Sequence, residues 1–233
     1  QTWMISNNSS QNQGIIENGY SFVSNGYALR KYPDGKIWFH TNIFSVSSTT
    51  SVSDNQWYHI AVSRQGGTIK IFINGVEDGN VSNQTSAIGD QTYPLKFGIG
   101  NHSDGNGEYF NGNIDEVAIW NDALSAMEVA TLYNSGNPLT ASTNSGYYTS
   151  SSNLKGYWQL NEGSGTYTTD GSGNGNPGTI SGATWSTDIP GSSTTSSSGG
   201  DDDGSIELLT GSSESGVSGN EQGYPLNSYY HDV

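Results

Sequence analysis

The sequence predicts an all-β protein that contains one short helix. Short runs of apolar and β-branched residues alternate with clusters of Gly, Asn, Asp and Ser, which is typical of antiparallel strands joined by tight turns. The apolar residues concentrate in residues 1–190, and the 233-residue chain is long enough for one all-β domain. Residues 191–233 are a Ser/Gly/Asp-rich, acidic segment, predicted to be an irregular tail that cannot bury a core alone.

Two hairpins are the clearest local signals. Residues 26–32 and 36–40 are strand-like and are separated by Pro33-Asp34-Gly35, a turn in which proline presets φ and glycine allows positive φ. Residues 57–64 and 68–73 form the second pair, and the alternation in 68–73 places every second residue, all isoleucine, on one face. Asn74-Gly75 then predicts a type I′ turn.

One helix is predicted near residues 125–135. Ser125 and Glu128 have the spacing of a capping box, and an apolar face follows them. Gly136 is placed to end the helix, and Pro138 prevents its continuation. We expect this helix, about ten residues long, to cover one end of a β-sandwich.

Several segments together resemble a known family. QWYHIAV at 56–62 and IFINGV at 71–76 resemble the central hairpin of laminin-G-like jelly-roll domains, and FNGNIDEVAIWN at 110–121 with ALS at 123–125 resembles their closing strand and helix. The match extends over roughly residues 1–136. It implies a two-sheet antiparallel jelly-roll sandwich of the concanavalin A-like lectin and glucanase group, a fold that does not fix the ligand.

The chain departs from this family pattern in one place. The segment GYWQLNEGSGT at 156–166 resembles the beginning of such a domain, yet here it follows the closing helix. We therefore expect residues 154–190 to complete the sandwich, because an open jelly-roll edge would favour aggregation. They can do so in their own chain, which we favour, or in a neighbouring copy.

Composition excludes several classes of function. The net charge is −15, with only seven Lys and Arg, so nucleic acid and anionic membrane surfaces are not expected partners. No apolar run is long enough for membrane insertion, and the absence of cysteine excludes disulfides and thiolate sites. No catalytic residues are predicted, since Asp115 and Glu116 are adjacent and the four histidines are scattered. We predict that the chain is not an enzyme.

A structural calcium ion is the predicted cofactor. The resemblance places Asp115 where several relatives use an aspartate for calcium, and it brings the first and last strands together. Glu162, Asp170 and Asn174 lie among glycines in the returning segment and could join Asp115, because Ca²⁺ prefers carboxylate, amide and backbone oxygens. The alternative is that these side chains only stabilise turns.

Loop aromatics beside Asp and Asn are the predicted ligand site. Tyr109 and Tyr93 lie near loops, and Asp104 and Asn106 lie in the glycine-containing loop before Tyr109. Tyr20 and Tyr32 are further candidates of the same kind. Strand tryptophans are expected in the core instead, because large rings dominate burial; these are Trp38, Trp57, Trp120 and Trp158.

These observations lead to one functional hypothesis with two alternatives. The first is a non-catalytic extracellular module for carbohydrate binding or adhesion, exposed on a cell surface, a fibre or a virus particle. Its partners would be a glycan or surface polysaccharide and, through the tail, copies of itself or neighbouring subunits. The alternatives are a purely structural subunit of a filament, sheath or virion, and an accessory domain of a glycan-active enzyme.

Overall fold

Two antiparallel sheets packed face to face form the protein. The computed structural model describes residues 1–7, 10–19, 26–88, 93–101 and 107–192, and the backbone of residues 205–208 and 216–219. The elements in chain order are β1 (Thr2–Ser6), β2 (Gln13–Asn18), β3 (Tyr27–Lys31), β4 (Lys36–Thr41), β5 (Ser45–Ser51), β6 (Tyr58–Gln65), β7 (Thr68–Ile73), β8 (Val76–Val81), β9 (Leu95–Phe97), β10 (Ile99–Asn101), β11 (Gly107–Tyr109), β12 (Gly112–Asp115), β13 (Val117–Trp120), α1 (Ala126–Tyr133), β14 (Leu154–Trp158), β15 (Tyr167–Thr168), β16 (Gly178–Ser181), β17 (Ala183–Ser186), β18 (Ser205–Leu208) and β19 (Gly216–Gly219).

The strand order confirms the predicted jelly-roll sandwich. One sheet has the order β17-β18-β12-β1-β6-β7-β8, and the other has the order β15-β16-β19-β9-β2-β3-β4-β5. Two further pairs, β10 with β11 and β13 with β14, flank the sheets. In the described part of the chain, no helix is long and apolar enough to cross a membrane.

The core lies between the inner faces of the two sheets. The alternating isoleucines of β7, residues 69, 71 and 73, all point into it, as the sequence pattern predicts. Their counterparts from the opposite sheet include Leu29, Ile37 and Phe39, which alternate along β3 and β4. Each strand therefore directs its intervening residues to the opposite, outer face.

The Asn74-Gly75 turn has the predicted conformation. Asn74 and Gly75 have φ values of 50° and 78°, as a type I′ turn requires. The Asn74 side chain accepts a hydrogen bond from the backbone N–H of His59, at 2.9 Å. The turn thus fixes the register of β6 and β7 and also anchors β6.

The helix has the predicted start but a different end and a different position. Ser125 and Glu128 form the capping box. The helix ends at Tyr133, because Asn134 adopts the left-handed conformation (φ 43°) before Gly136 is reached. The helix does not cover an end of the sandwich: Val129 and Leu132 pack with Phe72 in a second apolar cluster, on the outer face of the seven-stranded sheet.

The closing segment is two strands instead of one. β12 ends at Asp115 and β13 begins at Val117, and Glu116 between them has φ of 50°. This break lets the chain leave β1, the partner of β12, and pair with β14. The carboxylate of Glu116 accepts a hydrogen bond from the Tyr157 hydroxyl of β14, and burial raises the pKa of that hydroxyl.

The returning segment and the tail both contribute strands. β14 pairs antiparallel with β13, and the side chains of Trp158 and Leu160 lie in the inter-sheet core. In the tail, β18 lies between β12 and β17, and β19 lies between β9 and β16. Composition gives no signal for these two tail strands, which are within a segment predicted to be irregular.

Candidate functional site

The outer face of the eight-stranded sheet carries an unusual group of aromatic and charged side chains. Because Ile37 and Phe39 of β4 face the core, Trp38 and His40 face outward. On β3, Arg30 is paired with Trp38 across the strands. We call the set of Glu17, Arg30, Tyr32, Trp38, His40 and Glu108 the Trp38 face.

The aromatic rings of this face form one packed group. The Trp38 and His40 rings stack with centroids 5.3 Å apart and an interplanar angle of 1°. The Tyr32 ring lies 5.5 Å from Trp38 and 5.6 Å from His40. Tyr32 and Trp38 are half-buried, so part of each ring remains accessible. The indole N–H of Trp38 has no hydrogen-bond partner among the described residues.

The Trp38 face also contains a buried ion cluster. Arg30 is 1% exposed, and its Nη1 lies 2.6 Å from Glu108 Oε2, while its Nη2 lies 3.4 Å from Glu17 Oε2. Asn12 donates a hydrogen bond to the other oxygen of Glu108. One guanidinium thus holds two carboxylates, and buried charges of this kind require such pairing to be tolerated.

The β10–β11 hairpin, which is far from β3 in the sequence, covers this cluster. Glu108 is on β11, which pairs with β10. The hairpin packs tightly on β2, since a Cβ on Gly14 would lie 2.2 Å from the backbone nitrogen of Gly100. Glycine is therefore required at position 14, where no side chain fits between the two backbones.

Burial keeps His40 neutral near pH 7. Burial, followed by the charge of Arg30, lowers its pKa from 6.5 to about 4. The Nδ1 atom of His40 is 2.7 Å from the Ser45 hydroxyl. Burial also raises the pKa of Tyr32, so both side chains beside Trp38 are neutral near pH 7.

Of the predicted ligand residues, Tyr32 belongs to this face, and Tyr20 lies outside the described residues. Tyr109 is half-buried on β11, directly after Glu108, whereas Asp104 and Asn106 lie outside the described residues. Tyr93 is exposed just before β9, and its carbonyl accepts a hydrogen bond from the Asn18 side chain. The ends of the predicted loop therefore belong to the hairpin that supplies Glu108.

Two of the tryptophans expected in the core are elsewhere. Trp120 and Trp158 are buried as predicted, but Trp38 is on the outer face. Trp57 is half-buried, and its indole N–H donates to Asp188 at 3.0 Å. The alternation in 37–39 indicates the orientation of Trp38, because a core Trp38 would have turned its two apolar neighbours outward.

The predicted calcium ligands have other roles in the structure. The carboxylate of Asp170 accepts hydrogen bonds from the backbone N–H groups of Tyr157, Ser172 and Asn176. Glu162 accepts hydrogen bonds from the hydroxyl and the backbone N–H of Thr169. These oxygens accept hydrogen bonds from N–H and O–H groups, so a cation would have to compete for them.

The other two predicted ligands are also engaged in local contacts. Asn174 donates to the carbonyl of Leu154, and the buried Asp115 accepts from the N–H of Glu116. Across the described ranges, no group of three or more His, Cys, Asp or Glu side chains is arranged to hold a metal. The four side chains make hydrogen bonds within the chain, and calcium binding by them stays a prediction.

A separate cavity is lined by residues of both sheets and of the segment from β13 to α1. This cavity of about 130 Å³ is lined by core side chains such as Ile16, Phe39 and Val62, with Arg64 and Asn121 near its polar end. More than half of its lining residues belong to, or pack against, the two apolar clusters of the protein. The rest of its lining includes the polar residues Gln1, Ser63, Arg64, Gln65, Asn121 and Asp122.

Comparison with known proteins agrees with this architecture. Residues 1–130 match a laminin-G family described as the concanavalin A-like lectin/glucanases superfamily, which is more than half of the chain. The chain belongs to this superfamily. No curated protein matches the sequence.

A solved protein structure shares this fold, and two further structures show a lower similarity. A protein from Bacteroides ovatus with the provisional name of carbohydrate-binding protein has 18% identity and a TM-score of 0.57, over 76% of this chain and 49% of its own. The heptameric SAP-like pentraxin of Limulus polyphemus has 18% identity and a TM-score of 0.44, over 57% and 68% of the two chains. Domains LG4-5 of the mouse laminin α1 chain have 16% identity and a TM-score of 0.35, over 48% and 34%. This chain spans about half the length of the Bacteroides protein.

Proposed function

We propose that the chain is a non-catalytic carbohydrate-binding module and that the Trp38 face holds the glycan. The observation that supports this most strongly is the partly accessible Tyr32–Trp38 pair beside neutral His40. Ligand sites typically combine aromatic walls with a few placed polar groups. The provisional name of the Bacteroides protein, which shares the fold, supports the same class of ligand.

The charges of the face favour a neutral glycan over an acidic one. Arg30 is already paired with two carboxylates. Lys96, on the same row of the sheet, is the cross-strand neighbour of Glu17. The positive charges of Arg30 and Lys96 balance the negative charges of Glu17 and Glu108. The whole chain carries a net charge of −15. A polyanionic glycan would therefore be repelled at long range.

The non-catalytic assignment rests on the use of the carboxylates. Glu17 and Glu108 both serve as partners of one buried guanidinium, which is a structural role. A glycosidase instead needs two carboxyl groups that flank a scissile bond and are free to exchange protons. We infer that this face binds a glycan without cleaving it. We also propose, as the family membership suggests, that the protein acts on a cell surface or outside the cell.

A glycan array with the full chain tests the proposal. We expect neutral oligosaccharides to bind and anionic ones such as alginate or heparin fragments not to bind. Trp38→Ala should weaken binding at least tenfold, because it removes the stacking surface. Trp57→Ala is the matched control, since Trp57 is equally half-buried but outside the face, and it should leave binding unchanged.

Two results of this experiment would contradict the proposal. Equal binding by the wild type and Trp38→Ala would mean that the glycan binds elsewhere. If the folded wild type binds no glycan, the proposed function is wrong.

Repeating the array with excess chelator tests the calcium prediction. A loss of binding that added Ca²⁺ restores would support a bound ion. Unchanged binding would separate calcium from glycan recognition.

A structural subunit is the second candidate function. The observation that favours it is the position of the tail strands within both sheets, since strands supplied late in the chain can also be supplied by a neighbour. We also propose the domain division on this basis, with residues 1–190 as the jelly-roll domain and residues 191–233 as a tail that contributes two strands to it.

A further inference from the structure

The two tail strands are inserted inside the sheets and are not added to their outer edges. β18 pairs with β12 on one side, with Asn113 opposite Glu207, and with β17 on the other. β19 pairs with β9 on one side, with Lys96 opposite Ser218, and with β16 on the other. Each tail strand therefore satisfies backbone groups of two neighbours, and we call the two positions the tail slots.

The backbone pairing of three described strands with the main sheets depends on these slots. Among the described strands, β17 pairs only with β18, and β15 and β16 reach β9 only through β19. β17 and β18 belong to one sheet, and β16 and β19 belong to the other. Without the tail strands, β9 and β12 would be open edges, which present unpaired N–H and C=O groups to any other strand.

The connection to the tail is much longer than closure in the same chain requires. Ser186 is directly opposite Ser205, and antiparallel partners have Cα atoms about 5 Å apart. Two residues are enough for such a hairpin turn. Here the connection is residues 187–204, which could span up to roughly 60 Å if fully extended. The chain length therefore permits the tail to reach a second molecule.

We propose that the two tail strands, β18 and β19, are exchangeable donor strands that fill the tail slots of a second copy of this chain. Recognition in the slots is by backbone pairing, so the identical segment of a neighbour makes the same hydrogen bonds as the chain's own tail. Exchange of an identical element between copies creates an interface without new contacts. Because each copy carries a charge of −15, exchange increases with ionic strength.

Engineered disulfides in the full chain test the exchange. The natural chain has no cysteine, and cross-strand partners have a Cα separation that a disulfide can bridge. Lys96→Cys and Ser218→Cys are made as two separate single variants, mixed at high concentration and high salt, and oxidised. We expect a disulfide-linked heterodimer on a non-reducing gel, at least tenfold above the control pair Asn80→Cys with Ser218→Cys, since Asn80 is on the distant strand β8.

The double variant Lys96→Cys/Ser218→Cys distinguishes the remaining outcomes. An intramolecular disulfide in the double variant, with no heterodimer from the mixed singles, would show that the tail pairs only within its own chain and would overturn the proposal. If neither the mixed single variants nor the double variant forms a disulfide, the tail does not occupy the slot, and the proposal is overturned as well. The pair Asn113→Cys and Glu207→Cys repeats the test in the other sheet if the first variants do not fold. None of these outcomes depends on glycan binding.

Discussion

At the scale of single residues, Arg30 shows how a surface position becomes a structural centre. The alternation of β3 directs Arg30 away from the core, which would normally leave it in solvent. The β10–β11 hairpin then covers it and brings Glu108 to within 2.6 Å. The sequence indicates the direction of the side chain, but the partner comes from about 80 residues away, and local patterns do not predict such contacts.

Replacing Arg30 should destabilise the protein strongly. Arg30→Met keeps much of the side-chain volume but leaves Glu17, which is 1% exposed, as a buried charge without its guanidinium. We expect a loss of about 3–5 kcal/mol in the free energy of unfolding, measured by urea denaturation. Lys70→Ala, which breaks the exposed Lys70–Glu77 pair, is the control and should cost less than about 1 kcal/mol. Similar losses for both variants would refute a special role for Arg30.

The burial of His40 predicts a pH dependence. Its pKa is about 4 in the fold and near 6.5 when unfolded, so the unfolded chain binds more protons between these values. Stability from this group is full above pH 6.5 and declines as the pH falls towards 4. His40→Gln should flatten the decline when unfolding is followed by urea titration from pH 7 to pH 4. An unchanged slope in the variant would assign the effect to other groups, such as the buried His59.

At the scale of elements, local signals predict starts better than ends. The Asn74-Gly75 turn and the Ser125 capping box form as predicted, because each rests on backbone conformations and hydrogen bonds made within a few residues. The end of the helix was predicted at Gly136, but Asn134 takes the left-handed conformation first. Asn also adopts that conformation at helix ends, so the sequence alone does not decide between Asn134 and Gly136, which are two residues apart.

The capping box of α1 should make a measurable contribution to stability. Ser125 Oγ accepts from the Glu128 N–H, and the Glu128 carboxylate accepts from the Ser125 N–H. Ser125→Ala should lower the free energy of unfolding by about 1 kcal/mol, as measured by urea denaturation. Ser125→Thr is the rescue variant, since Thr is also a favourable N-cap and its hydroxyl can donate to the Glu128 carboxylate as Ser125 does, and it should recover most of the loss. A failure of the rescue would show that Ser125 acts through packing instead of capping.

At the scale of the whole molecule, the sandwich was predictable and the position of its last strands was not. The hairpins and the family resemblance determine which residues face the core. The insertion of β18 and β19 depends on backbone pairing with strands far away in the sequence, which leaves no periodic hydrophobic pattern in so short a segment. The Trp38 face was not predictable for the same reason, because its side chains lie on or next to strands that are far apart in the sequence, β2, β3, β4 and β11.

The contribution of the returning segment can be tested through Trp158. Its side chain is fully buried, its ring lies 5.1 Å from Phe97, and its indole N–H donates to the Asn176 carbonyl at 2.8 Å. Trp158→Ala should cost about 3–5 kcal/mol in the free energy of unfolding. Tyr167→Ala is the control, because Tyr167 is exposed on β15, and its cost should be within about 0.5 kcal/mol. A small loss for Trp158→Ala would mean that residues 154–190 are not part of the cooperative fold.

The insertion of β18 beside β12 has a consequence for biosynthesis. A ribosome adds about 5–20 residues per second, so Ser205 emerges on the order of 5–18 s after Asp115. During this interval the nascent chain can form most of its hairpins, but it exposes one side of β12 and one side of β9. On a polysome, nascent chains at this stage lie close together, and each has open edges before its own tail has been translated.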